Sequence, residues 1–112
     1  MRAPRKRPID WNRLMAVKYG LLVSLEAREG QEAALAEFLA QGRELAVAED
    51  ETVTWYAFRI DERRFGIFDT FESEGGRQAH LSGPIAKALG EVAETLLAQA
   101  PQIEQVGVVA VK

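Results

Sequence analysis

Two side chains in the second half of the sequence could carry acid–base chemistry. His80 is the single histidine of the 112-residue chain, and imidazole is the side chain whose ordinary pKa lies nearest neutrality. We predict that His80 acts as a base or donates a hydrogen bond to a substrate oxygen, or else that it caps carbonyls at a helix end. Asp69 orients His80 or accepts a substrate proton, or it is a structural acid bonded to Tyr56 or to backbone amides.

Aromatic side chains accompany these two candidates. Tyr56, Phe58 and Phe71 stand at strand spacing, where they line a substrate pocket or form plain core. Trp55 and Arg59 occupy the alternate positions, and we expect them at a dimer interface, with a substrate carboxylate or carbonyl as the other partner for Arg59. A one-residue change of register would instead bring Trp55 into the pocket.

The composition excludes several kinds of site. The chain has no cysteine, which rules out disulfides, thiolate metal sites and cysteine nucleophiles. A single histidine rules out a histidine-rich metal site within one chain. No apolar run approaches the roughly 18 residues that span a membrane, so we expect a cytosolic protein without a membrane partner.

Charge is unevenly distributed along the chain. Residues 1–14 carry five basic side chains and one acidic side chain, a net charge of +4. Since the overall net charge is −3, the other 98 residues carry a net charge of −7. Because this segment has prolines and no hydrophobic period, we predict a flexible basic extension before a domain that spans residues 15–112. The negative domain opposes phosphate binding, and we expect no nucleic-acid partner.

The elements that must position the candidate residues follow from the hydrophobic periodicity. Alternating or β-branched residues predict strands over 18–27, 52–60, 65–72 and 103–111. Apolar stripes predict helices over 31–47 and 85–98, and a short helix begins at Ser73 with His80 near its end. The order β-α-β-β-α-β is typical of an α+β ferredoxin-like fold, a four-stranded antiparallel sheet with helices on one face.

The tight hairpin between the second and third strands decides which residues share a face. If Ile60 pairs with Phe65, Tyr56 faces Asp69 on the more apolar side, to which we assign the helices. The opposite face then displays an apolar patch that includes Trp55. Since a monomer seldom leaves such a patch in water, we expect a homodimer joined through its sheet faces as an α/β barrel.

A short motif in the third strand and the following helices resembles the antibiotic biosynthesis monooxygenase family of dimeric α/β-barrel proteins. It consists of an acid, an aromatic two residues on, a histidine near a helix end, a small residue and the start of an amphipathic helix, here Asp69, Phe71, His80, Ser82 and Ile85. The β-α-β-β-α-β order extends the resemblance over residues 17–112. The motif is specific for the fold superfamily rather than for a reaction.

The resemblance implies a cofactor-independent monooxygenase, which oxidises a phenolic, quinol or polyketide-like substrate with O2 and uses neither metal nor flavin. The deprotonated phenol itself reduces dioxygen, while the protein supplies a base, orientation and a dry pocket between sheet and helices. The fold also hosts non-catalytic ligand-binding or stress-response proteins and isomerases, and these alternatives stay open. Haem-degrading relatives carry a histidine on the last helix, which residues 85–98 lack.

Overall fold

Residues 10–112, which the computed structural model describes, form four helices and four strands. The helices are α1 (Trp11–Met15), α2 (Glu32–Ala48), α3 (Glu74–Leu81) and α4 (Pro84–Leu96). The strands are β1 (Tyr19–Glu26), β2 (Thr52–Arg59), β3 (Arg64–Phe71) and β4 (Gln102–Gly107). Among these helices, none is long and apolar enough to cross a membrane.

The strands form one antiparallel sheet in the order β2-β3-β1-β4. Each pair of parallel strands, β1 with β2 and β3 with β4, is linked by a helical crossover that passes over the strand between them. Because such crossovers are right-handed, both place their helices on the same side of the sheet. The predicted α+β ferredoxin-like fold is therefore confirmed.

The core lies between the sheet and the two long helices. Alternate residues of β1, Leu21, Val23 and Leu25, are buried, as their period of two predicts. They meet buried leucines that recur at helical spacing on α2 and α4, of which Leu35 and Leu89 are examples. This shared apolar layer holds the helices against one face of the sheet, and the other face is called the open face below.

The hairpin between β2 and β3 differs by one residue from the predicted pairing. Arg59, one position before the predicted partner, pairs with Phe65. The cause is the turn, in which the Asp61 carboxylate accepts hydrogen bonds from the amides of Arg63 and Arg64 at 3.0 and 2.8 Å. This side-chain bonding stabilises a turn that is one residue longer than predicted.

A shift of one residue exchanges the two faces of β2. Tyr56 and Phe58, predicted on the helix-covered face, lie on the open face, and both predictions are wrong. Trp55 and Arg59, predicted on the open face, lie on the helix side, where Trp55 pairs with Asp69. The alternative register considered for Trp55 is therefore the one that occurs.

The described end of the basic segment is helical. The Asp10 side chain accepts a hydrogen bond from the amide of Arg13 at 3.0 Å and caps α1. Arg13 also lies 3.8 Å from a carboxylate oxygen of Glu72 and donates to the carbonyl of Asp50. These contacts explain why residues 10–14 differ from the predicted flexible extension. Residues 1–9 of that extension lie outside the described residues, and the domain boundary at residue 15 stays a prediction.

Candidate active site

An apolar cavity of about 150 Å³ lies between the sheet and the helices. Its walls come from α2, from α4 and from the helix-facing side of β2 and β3. The lining residues are Phe38, Leu39, Gln41, Gly42, Leu45, Trp55, Ile67, Ile85, Ala88 and Leu89. Gln41 and Leu45 are exposed, whereas Leu39 and Ile67 are buried. The cavity therefore leads from the surface of α2 towards the core.

Trp55 supplies a polar group to this apolar cavity. Its indole Nε1 is buried and has no hydrogen-bond partner among residues 10–112. Leaving such a donor unpaired costs about 1–3 kcal/mol, which an acceptor within its reach would recover.

A cluster of ionisable side chains lies on the same side of the sheet. His80 Nδ1 is 2.5 Å from Glu49 Oε2, and His80 Nε2 is 2.8 Å from Asp69 Oδ2. The first contact is a hydrogen bond, and the second is an ion pair outside hydrogen-bond geometry. Asp69 is fully buried, and its Oδ1 has no partner among the described residues. We call Glu49, His80 and Asp69 the carboxylate–imidazole array.

The array favours the charged form of the imidazole. Burial of His80 acts in the opposite direction, because it penalises a charge removed from water. The ion pair with Asp69 and then the bond to Glu49 outweigh burial and raise the pKa of His80 above its ordinary value of 6.5.

Three elements bring the array together. Ser73 caps α3 by accepting a hydrogen bond from the amide of Gly76 at 3.0 Å, which fixes the start of the helix that carries His80. The His80 ring packs on Phe71, with centroids 5.3 Å apart. Glu49 follows the last turn of α2 and accepts a hydrogen bond from the Thr52 hydroxyl at 3.0 Å.

The structure brings His80 and Asp69 together, as one interpretation of Asp69 expected, but neither side chain lines the cavity. The predicted bond between Asp69 and Tyr56 is wrong, because the hairpin register places them on opposite faces of the sheet. Phe71 is fully buried on the helix side. Trp55 alone among the predicted binding residues lines the cavity.

Within the described chain, Arg59 contacts the hairpin turn. Its guanidinium donates to the carbonyls of Asp61 and Glu62 at 3.0 and 2.8 Å, and it lies 4.8 Å from the ring centroid of Phe65. The prediction that it contacts a partner subunit, or a substrate carboxylate or carbonyl, stays a prediction.

Sequence reasoning missed Glu49 and Thr52, which it placed in a polar break and at the start of a strand. The contact between Glu49 and His80 joins positions 31 residues apart. No local sequence pattern predicts such a pair, because a carboxylate that follows a helix lies on the surface in most proteins. Within residues 10–112 no group of three His, Asp or Glu side chains has the arrangement of a metal site.

No protein-family model matches the sequence, and no curated protein matches it. Solved structures do. A protein of unknown function from Nitrosomonas europaea, NE2512, is 51% identical, with a TM-score of 0.86 over 88% of this chain and 95% of that one.

More distant structures share the fold. A candidate antibiotic biosynthesis monooxygenase from Nitrosomonas europaea is 14% identical, with a TM-score of 0.73 over 81% of this chain and 98% of that one. A variant of SnoaB, a cofactor-independent oxygenase from Streptomyces nogalater, is 8% identical, with a TM-score of 0.69 over 84% and 95%. At such identities the likeness concerns the fold alone, and it is the fold that the sequence motif predicted. On the strength of the 51% identity, the chain belongs to the family of the NE2512 protein.

Proposed function

We propose that this protein oxidises a phenolic or quinol substrate with O2, without a cofactor, in the cavity between the sheet and the helices. The observation that carries the proposal is the pairing of Trp55 with Asp69. Trp55 lines the cavity and offers a buried, unpaired N–H, and Asp69 beside it is a fully buried carboxylate with a free oxygen. The shared fold with a cofactor-independent oxygenase agrees with this proposal.

In the proposed reaction Trp55 is the hydrogen-bond donor and Asp69 is the base. Trp55 Nε1 donates a hydrogen bond to one substrate oxygen and orients the ring. Asp69 is the proposed base for the phenolic proton, and it lies behind the cavity wall, on the strand pair that also carries Trp55. His80 is a positioning residue, since its charge holds the Asp69 carboxylate in place.

Deprotonation makes the substrate able to reduce dioxygen itself. A ring carbon of the phenolate bonds to one oxygen atom of O2, and the resulting hydroperoxide loses water as its O–O bond breaks and the carbon loses its hydrogen. A hydroquinone and O2 therefore give a hydroxyquinone and water. Four electrons pass from the substrate to O2, so no further reductant is needed. The apolar walls keep bulk water away from these intermediates.

Oxygen uptake by metal-free protein tests the proposal against a panel of one-ring hydroquinones and polycyclic phenols. We expect saturable uptake on at least one substrate, and a loss of about 100-fold or more in Asp69→Asn, which keeps the shape of the side chain. Gln78→Ala, at an exposed position of α3, is the control and keeps full activity. Uptake that never exceeds the uncatalysed rate, or that survives Asp69→Asn, contradicts the proposal.

A non-catalytic ligand-binding protein is the second candidate. It is favoured by one observation, that both nitrogens of His80 already face carboxylates and that His80 does not line the cavity. A binding protein takes up the same aromatic molecule and releases it unchanged in the presence of O2. Product analysis after aerobic incubation separates the two candidates.

We also propose that the open face binds a second copy of the chain. Tyr56 is 60% exposed there, and Phe58 and Val109 are also exposed. A groove of about 610 Å³ runs between the open face, α1 and the C-terminal residues 107–112. Exposed aromatic and aliphatic side chains grouped on one face are typical of an interface between proteins. A two-fold axis through the groove would let each copy cover the other.

A further inference from the structure

We propose that the cavity is a slot for a single aromatic ring that carries one hydrogen-bond acceptor, with Trp55 as the donor and Gly42 as the residue that sets its depth. This inference rests on the proposed function and names the substrate class. It limits the substrate to one ring, where the sequence analysis also allowed polyketide-like molecules.

The volume of the cavity sets the size of the ligand. Dry apolar cavities of about 150 Å³ bind benzene, which shows that one six-membered ring fills such a space. A fused second ring would have to displace the buried Leu39 or Ile67, or else stay outside the cavity at its exposed mouth. Interiors are close-packed and resist such displacement.

Gly42 provides space that no other feature of the fold requires. It lies inside α2, where glycine weakens a helix relative to alanine. Its backbone has an ordinary negative φ, because Gly30 is the one glycine of residues 10–112 with a positive φ. A Cβ at position 42 would lie 3.6 Å from Cζ2 and Cη2 of Trp55, which is normal van der Waals contact.

Gly66 shows what a sterically required glycine looks like in this chain. A Cβ at that position would lie 2.3 Å from the ring of Phe58, which no side chain could tolerate without rearrangement. At Gly42 a methyl group fits without a clash, but it would occupy the space between α2 and the indole. We therefore infer that the absence of a side chain at Gly42 keeps the slot open.

The polar groups of the slot define the chemistry of the ligand. Among the atoms of Trp55, Cζ2 and Cη2 lie nearest to a Cβ at position 42. The indole Nε1 and Cζ2 are bonded to the same ring carbon, and Nε1 is buried with no hydrogen-bond partner among the described residues. No charged side chain belongs to the lining, and the amide of Gln41 stands at the exposed mouth. A neutral ring with one oxygen acceptor satisfies the indole N–H, whereas a ligand that is already charged in water would be desolvated on entry with this one donor as compensation.

Nuclear magnetic resonance of the two indole N–H groups tests the proposal directly. The chain has two tryptophans, and the exposed Trp11 serves as an internal reference for Trp55 in the same spectrum. Under anaerobic conditions we expect phenol to shift the Trp55 resonance saturably and to leave Trp11 unchanged. Toluene, which has the same ring size and no oxygen acceptor, binds about fivefold more weakly. The bicyclic 2-naphthol produces no saturable shift.

Matched glycine variants test the role of Gly42. Gly42→Ala lowers the affinity for phenol by about tenfold or more, because its methyl group fills the slot. Gly90→Ala adds the same group to α4 where nothing lies within 4 Å, and it leaves the affinity unchanged. Equal binding of phenol by both variants, saturable binding of 2-naphthol, or no shift of Trp55 with phenol overturns the inference.

The outcome separates this inference from the proposed function. Anaerobic binding reports on the slot, and oxygen uptake reports on the reaction. Binding of phenol with the expected variant pattern, together with no oxygen uptake on any hydroquinone, retains the slot and removes the oxygenase. Oxygen uptake on a polycyclic phenol that is unaffected by Gly42→Ala retains the oxygenase and removes the slot.

Discussion

Asp69 and Trp55 face each other across β3 and β2 on the side of the sheet that the helices cover. The pairing joins two features of the molecule. Trp55, on β2, lines the apolar cavity. Asp69, on β3, lies with its carboxylate 2.8 Å from the imidazole of His80. A change at either residue is therefore expected to affect both the cavity and the array.

Removing His80 is expected to destabilise the fold strongly. His80→Ala leaves the carboxylates of Asp69 and Glu49 buried or half-buried without their shared positive partner. Breaking a buried ion pair on one side typically costs about 3–5 kcal/mol, and we expect a loss of that order in urea denaturation. Gln78→Ala on the same helix changes the free energy of unfolding by less than about 0.5 kcal/mol. A loss below 1 kcal/mol in His80→Ala, on the order of a surface change, contradicts a buried ionic array.

The stability of the protein is expected to depend on pH through the same residue. The pKa of His80 is raised in the folded chain above the value of 6.5 that applies when it is unfolded. Its contribution is therefore complete below pH 6.5 and is lost as the pH rises through the raised pKa. Urea denaturation at a series of pH values measures this loss.

The control for this pH dependence is His80→Gln. The chain has one histidine, so this variant contains no imidazole. We therefore expect its free energy of unfolding to fall much less than that of the wild type as the pH rises above 6.5. A wild-type stability that is flat or rises with pH above 6.5 would contradict the raised pKa.

Gly42→Ala is expected to stabilise the fold while it weakens ligand binding. Alanine favours a helix interior over glycine by about 1 kcal/mol, and the added methyl group meets Trp55 at an ordinary contact distance. Gly90→Ala is expected to raise the free energy of unfolding by a similar amount. Thermal and urea denaturation of the two variants measure both gains. Destabilisation by Gly42→Ala alone would show that the slot is already closed by its own walls.

Association through the open face is expected to depend on Tyr56. Tyr56→Asp places a charge on the exposed apolar surface and should convert a dimer to a monomer. Light scattering after size-exclusion chromatography gives the mass in solution. Gln99→Asp, at an exposed position after α4, adds the same charge and keeps the dimer. A monomeric wild-type protein, or a dimeric Tyr56→Asp variant, would contradict this interface.

The order of elements and the fold class follow from local patterns in the sequence. Periods of two in β1 and of three to four in α2 and α4 follow from which side chains must leave water, and that information is local. The burial of Asp69 could also be predicted, from the alternation of residues along β3. Its contact with His80 was one expected interpretation, because His80 lies near the end of the helix that follows β3.

The tertiary structure decided which face of β2 meets the helices. The register depends on a five-residue turn held by the Asp61 side chain, and a difference of one residue moves Trp55 to the cavity and Tyr56 to the open face. Glu49 joins the array across 31 positions, which no local period encodes. The cavity arises only where four elements, α2, α4, β2 and β3, meet. Long-range packing therefore determined the site, although short-range patterning determined the fold.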